Sequence, residues 1–258
     1  MRPFVLAAIT VATLTAQAPL DLAAYRLHRF YRGDFRHAQR IATEETYLEQ
    51  SAGGAWRRKS LPDPRAEWIV EGRAAITTRN GSMTVSPEHS HVVIWNRTIM
   101  PADFLLEYDM HPEGSANGLT IVFFCATGKN GEDLFALSLP PRRADYPAYH
   151  SGEIANYSDA YWSRNTEEEA ISNRLRKNPG FALVAQGLSL TTGPTNVTHR
   201  VRILKTGAHI EVEINRHVVL KWDDPGQSLG AGRIGLRSME ALAKVSYSNF
   251  GVWRVTRR

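Results

Sequence analysis

Residues 197–222 read VTHRVRILKTGAHIEVEINRHVVLKW. Val197 to Lys205, His209 to Asn215 and His217 to Trp222 are runs rich in Val, Ile and Leu in which apolar and polar residues alternate, the period of a strand with one face in a core and one in water. Thr206-Gly207 interrupts the pattern once and Asn215-Arg216 interrupts it again. The spacing predicts three consecutive strands joined by tight turns.

The same texture continues on both sides. Upstream lie Phe181 to Gln186, the doubly apolar Gly118 to Ala126, and Phe104 to Met110, where Phe104, Leu106, Tyr108 and Met110 share one face. Leu134 to Leu139, His91 to Trp95, Glu67 to Glu71, Ala74 to Arg79 and Ser82 to Val85 are further candidate strands, with a hairpin signal at Asn80-Gly81. Downstream, Gly230 to Arg237 and Val245 to Val255 complete the set. About a dozen short strands without alternating helices predict an all-β fold, a jelly-roll sandwich of two antiparallel sheets over residues 66–258.

Residues 19–65 are mixed and read as an N-terminal extension with one short helix near 34–50, its basic and aromatic run Tyr25 to Arg32 packed on the domain surface. Residues 1–18, MRPFVLAAITVATLTAQA, carry Arg2, an apolar run and Ala16-Gln17-Ala18, the layout of a secretory signal peptide. A periplasmic or secreted protein is expected. With 258 residues and 43% apolar composition there is material for one large domain. The single cysteine, Cys125, rules out an intrachain disulfide, and its apolar neighbours argue against thiol catalysis. A net charge of +5 favours an anionic partner. Export and the lack of a recognisable motif argue against nucleic acid, whereas an acidic oligosaccharide or polysaccharide suits charge and compartment together. No membrane partner is expected once the signal is removed.

Asp145 to Gly187 departs from the strand texture. It has no clean period and gathers Tyr146, Tyr149, His150, Tyr157, Tyr161, Arg174, Arg176 and Lys177. A long irregular insertion between strands usually carries function. Inside it, Asn165 to Asn173 has a helical pattern with Thr166 as N-cap.

Three functions suit these residues. β-Elimination at a uronate, by a lyase or dehydratase, needs a base for the C5 proton, a cation on the carboxylate and an acid for the leaving oxygen. His150 or Tyr157 can be the base, Arg174 or Lys177 the clamp, and Tyr149 or Tyr161 the acid, with the planar fork of Arg favoured for the carboxylate and Arg176 a further substrate-binding candidate. Glycoside hydrolysis needs paired carboxylates, for which Glu132, Asp133 and Glu153 are the candidates. A noncatalytic, lectin-like domain needs only aromatic platforms, here Trp95, Tyr161 and Trp162, with Asn117, Asn156 and Gln186 bonding hydroxyls. No cofactor is expected. His89 with His91 lacks a third metal ligand, and the loop Asp223-Asp224-Pro225-Gly226 is a candidate for a structural Ca²⁺.

The closing strands, Ile210 to Asn215, Gly232 to Arg237 and Ser248-Asn249-Phe250, resemble those of concanavalin A-like lectin and glucanase domains. NGEDLF (130–135), LPPR (139–142), YHSGEI (149–154), NRLRK (173–177) and LVAQG (183–187), in that order, resemble the DUF1961 family from roughly Glu67 onward. The resemblance implies a concanavalin A-like jelly roll. Because one family protein is encoded among rhamnogalacturonan-degradation genes in bacilli, it also implies a setting of acidic-polysaccharide breakdown. Asn130, in the first motif, joins Asp133 as a substrate-binding candidate. The acidic run within Ser158 to Glu169 and the N-terminal extension depart from the family pattern.

Overall fold

The computed structural model describes residues 18–88, 91–114, 120–162, 172–188, 196–239 and 242–258. The first strands are β1 (Tyr25–Arg32), β2 (Ile41–Thr43), β3 (Leu48–Gln50), β4 (Trp56–Arg58), β5 (Trp68–Glu71) and β6 (Ala74–Arg79). Then come β7 (Ser82–Pro87), β8 (Val92–Asn96), β9 (Phe104–Gly114) and β10 (Thr120–Gly128), followed by the short helix α1 (Pro147–His150). After it run β11 (Ile154–Trp162), β12 (Ser172–Asn178), β13 (Ala182–Leu188), β14 (His199–Thr206), β15 (His209–Ile214) and β16 (His217–Asp223). The last two are β17 (Arg233–Ser238) and β18 (Leu242–Arg257).

They form two eight-stranded sheets and a separate β3-β4 hairpin. The first sheet runs β16-β15-β14-β9-β18-β7-β6, with β1 also paired to β18. The second runs β13-β12-β11-β10-β17-β8-β5-β2. Pairing is antiparallel throughout except at β2, which lies parallel to β5. The meander expected from residues 197–222 is β14-β15-β16, with Val201 opposite Ile214 and Val212 opposite Leu220.

The alternation places Val201, Ile203, Ile210, Val212 and Ile214 in the space between the sheets, beside Trp68, Tyr108, Phe124, Tyr157, Tyr161 and Tyr247. Each such side chain contributes roughly 1.5–3 kcal/mol by leaving water. The Tyr108 hydroxyl donates to that of Tyr161 at 2.8 Å, so the phenols placed in the core have partners. The second sheet also has an apolar layer on its outer face. Trp95 stacks on Phe123 at 5.6 Å and Phe123 on Tyr149 at 5.4 Å, among Ile121, Leu134 and Leu139. Gly235 lies beneath the indole, where a Cβ would come within 2.5 Å of the Trp95 ring. A strand covered on both sides loses its alternation, which is why Gly118 to Ala126 reads as apolar throughout.

Two expectations are corrected. Leu134 to Leu139 is a chain of turns rather than a strand, because Asp133 accepts from Phe135 N at 2.8 Å and Ala136 N bonds back to Asp133 O. Residues 34–50 contain strands β2 and β3 around a 3-10 turn, Glu44–Tyr47, in place of a helix. The N-terminal stretch is woven in: β1 joins the first sheet and β2 the second. The helix expected over Asn165 to Asn173 falls outside the described residues except at Ser172 and Asn173, which open β12. The expected signal peptide, His89 and Asn117 also lie outside them, as does the side chain of Trp162.

A buried charge cluster ties the N-terminal stretch to the loop before α1. Glu71, Arg142, Arg58 and Glu44 are all nearly inaccessible. Arg142 pairs with Glu71 through two nitrogens, and Arg58 Nη2 lies 3.5 Å from Glu44. The Glu44 carboxylate accepts from the backbone N–H groups of Arg142 at 3.1 Å and Arg143 at 2.8 Å. Burial, then the neighbouring Glu71 charge, pushes Glu44 up to about 7.

Candidate functional site

Cross-strand register brings one row of side chains to the outer face of the second sheet. Arg237 is opposite Ile121, Ile121 opposite Ala160, Ala160 opposite Arg174, and Arg174 opposite Gln186. The neighbouring row places Arg176 opposite Ser158. Paired residues share a face, so three guanidinium groups and an amide project the same way.

Aromatic side chains from α1 and from the β12-β13 turn join these cations into a continuous wall. The Arg237 guanidinium sits 4.4 Å from the centroid of the Tyr146 ring. Tyr146 meets His150 edge-on at 4.6 Å, His150 packs on Phe181 at 4.2 Å, and Arg176 covers Phe181 at 4.3 Å. Such contacts fix the plane of a guanidinium. The loop is held from behind: Gly180 N bonds to His150 O at 2.8 Å, and Asn156 Nδ2 donates to Tyr149 O at 2.9 Å.

The electrostatics are those of a cationic face. Arg237 is 2% exposed, its Nε has no hydrogen-bond partner, and no carboxylate pairs with it among the described residues. Burial lowers its pKa, yet a guanidinium stays protonated in a protein. Burial also lowers the pKa of His150, and Arg176 and Arg237 lower it further, so the imidazole is neutral at pH 7. The Tyr146 hydroxyl is raised by burial and pulled back by Arg237, Arg176 and Arg174 together.

The sequence candidates divide sharply. His150, Arg174, Arg176 and Gln186 lie on this face. Tyr149 is fully buried: its hydroxyl donates to Glu71 at 2.6 Å and accepts from Ala144 N at 3.1 Å. Trp95 is equally buried and donates to Glu71 at 3.0 Å. Tyr157 and Tyr161 fill the core between the sheets, and burial raises both hydroxyls, Tyr157 to about 12. All four rings are committed to protein partners in the interior, and the two tyrosines offered as base or acid there are poor proton carriers.

Lys177 faces inward from the opposite side of β12 and bonds Asp224 at 2.6 Å and Gln227 O at 2.8 Å. Burial works to raise Asp224, but the hydrogen bonds from Lys177, Tyr157 and Gly226 N outweigh it and hold this carboxyl below the ordinary range. Its loop is thereby committed to protein contacts, with Asp223 bonded to His209 at 2.8 Å. Among the described residues no three His, Cys, Asp or Glu side chains are placed to hold a metal ion.

The carboxylates named for hydrolysis are also engaged. Glu132 accepts from Asn130 N and Asn130 Nδ2, each at 3.0 Å, which pins the turn and lowers its pKa. Asp133 pairs with Arg233, and Glu153 pairs with Lys129 on the surface. Asn130 and Asp133 thus serve the loop. Cys125 is buried, with its thiol pushed up to about 12 by burial.

Sequence reading missed Arg237 and Phe181 as site residues and placed Tyr146 in the functional stretch without a role. A signal for the first was present: in GRIGLR (232–237), Arg233, Gly235 and Arg237 alternate with Ile234 and Leu236, so two arginines flank a glycine on one face.

Comparison with known proteins places this architecture. The chain is 33% identical over 202 residues, 74% of its length, to YesU, an uncharacterized protein of Bacillus subtilis (strain 168), of which 91% is covered. The crystal structure of a Bacillus subtilis protein of unknown function with a galectin-like fold superimposes with a TM-score of 0.73 at 29% identity, covering 91% of this chain and all of that one. The metal-free carbohydrate recognition domain of Emp46p matches with a TM-score of 0.53 at 11% identity, over 73% of this chain and 88% of that one, a likeness of fold alone. Residues 59–252 match the family model described as a domain of unknown function, and the chain belongs to the DUF1961 family.

Proposed function

We propose that the protein binds an acidic glycan on the outer face of the second sheet, with Arg237 and its neighbours Arg174 and Arg176 receiving a uronate carboxylate. The observation that carries this reading is the buried Arg237 guanidinium with no carboxylate partner among the described residues. An unpaired buried cation is costly, and a ligand carboxylate bound by its fork repays that cost. Tyr146 and Phe181 supply apolar walls for a pyranose ring, and Gln186 a hydroxyl partner. The fold shared with the carbohydrate recognition domain of Emp46p supports a sugar ligand. Export, expected from residues 1–18, belongs to the same proposal. Calorimetric titration with oligogalacturonate and its methyl ester tests it. Binding of the acid alone is expected, and equal affinity for the ester overturns it.

The placement of His150 against Tyr146, with ring centroids 4.6 Å apart on the face that carries the arginines, favours a second reading, β-elimination. His150 would take the C5 proton of the bound uronate. The electrons would form the C4=C5 double bond, and the C4 oxygen would leave with a proton from Tyr146, whose hydroxyl stays protonated at neutral pH. Ultraviolet absorbance of a 4,5-unsaturated uronate should then grow with the native protein and not with His150→Ala. Binding without that signal in either protein leaves a noncatalytic lectin.

A further inference from the structure

On the opposite side of the sandwich, the outer face of the first sheet holds a cleft of about 300 Å³ lined by Arg29, Arg32, Arg200, Asn249, Gly251 and Trp253, among others. It exists because β1 lies beside β18, which sets Arg29 opposite Trp253 and Arg32 opposite Gly251. The indole folds over Gly251, where a Cβ would come within 2.6 Å of it. The Arg29 guanidinium stands 5.9 Å from the Trp253 ring centroid.

The charges here do not balance. Glu107, the acid of the lining, already pairs with Arg200 and, at 3.2 Å, with Arg202, and the adjoining Asp109 is taken by Asn249 Nδ2 at 2.6 Å and Arg200 at 3.7 Å. Arg29 and Arg32 are exposed and have no carboxylate partner among the described residues. Two planar forks beside an indole wall suit a carboxylate or sulfate carried on a sugar ring.

We propose that this cleft is a second binding site for an anionic sugar unit, so that one molecule holds two polyanion segments on opposite faces of the sandwich. The proposal rests on its own residues and does not depend on the site at Arg237. Two tethered segments raise avidity without new contacts at either site.

The test uses the full chain carrying Arg237→Met, titrated with oligogalacturonate by calorimetry. One remaining site per chain is expected. Adding Arg29→Ala and Arg32→Ala should weaken it by about tenfold or more. A control, Arg26→Ala with Arg254→Ala, removes equal charge from the reverse face of the same two strands and should leave affinity within about twofold. Undiminished binding after Arg29 and Arg32 are replaced, or an equal loss in the control, overturns the proposal. Tighter binding of duplex DNA or phosphatidylglycerol vesicles than of oligogalacturonate, abolished by the same pair, overturns the sugar assignment.

Discussion

The guanidinium of Arg237 lies over the face of Tyr146, 4.4 Å from the ring centroid, in a position that excludes water almost completely. Stability and the proposed glycan binding therefore pull in opposite directions at this residue. Arg237→Met keeps the volume and removes a charge that no carboxylate among the described residues pairs, so it should raise stability in urea by about 1–3 kcal/mol while abolishing oligogalacturonate binding at this face. A stability loss on that substitution would mean that the guanidinium serves the fold.

Tyr149 belongs to the scaffold. Tyr149→Phe removes the bond to Glu71 and leaves the buried Ala144 N–H without its acceptor. A loss of about 1–3 kcal/mol in unfolding free energy is expected, with the affinity of the folded protein for oligogalacturonate unchanged. A catalytic Tyr149 would instead show lost turnover at unchanged stability.

Asp159 gives the fold a pH dependence. It is fully buried, accepts from Asn173 Nδ2 at 3.2 Å, and is raised by that burial from 3.8 to about 7. Between those pH values the folded chain keeps a proton that the unfolded chain has lost. Stability therefore falls as pH rises from about 4 to 7 and levels off above. Glu44, also raised to about 7, adds the same sign. Asp159→Asn should flatten the slope and make the protein more stable at pH 8 by up to about 4 kcal/mol. Urea melts from pH 4 to 8 showing an unaltered slope would refute this.

Glu44 should act on the proposed binding face from a distance. Its carboxylate holds the backbone at Arg142 and Arg143, immediately before the turn that carries Tyr146 and His150. Glu44→Ala takes one of two carboxylates from the buried Arg58, which keeps Glu71 at 4.0 Å, and leaves the N–H groups of Arg142 and Arg143 without their acceptor, with an expected loss of about 3 kcal/mol and roughly tenfold weaker oligogalacturonate binding. Glu44→Gln, which keeps an acceptor, should recover part of both in the same measurements.

The sheets were legible because alternation survives wherever one face meets water, as in β14-β15-β16. It fails where an element is wrapped on both sides, so Tyr157 and Tyr161, two residues either side of Asp159, read as free site residues although all three face the interior. Composition also misled at Leu134 to Leu139, where the apolar residues cover the outer face of the second sheet from a series of turns. His150, Arg174, Arg176 and Gln186 could be named from sequence as polar residues in an irregular stretch. Their convergence with Arg237 depends on register between strands distant in sequence, which spacing along the chain does not encode.

The sixteen residues of β18 pair with β9 along one edge and with β7 and then β1 along the other. Three partners made early in synthesis thus wait for one made late. A nascent chain lacking this strand leaves three unsatisfied edges open to neighbours, and closure spans more than 220 positions between Tyr25 and Arg257. Assembly of the first sheet is accordingly a late and slow event, and truncation before Leu242 should yield aggregate in place of a smaller folded protein.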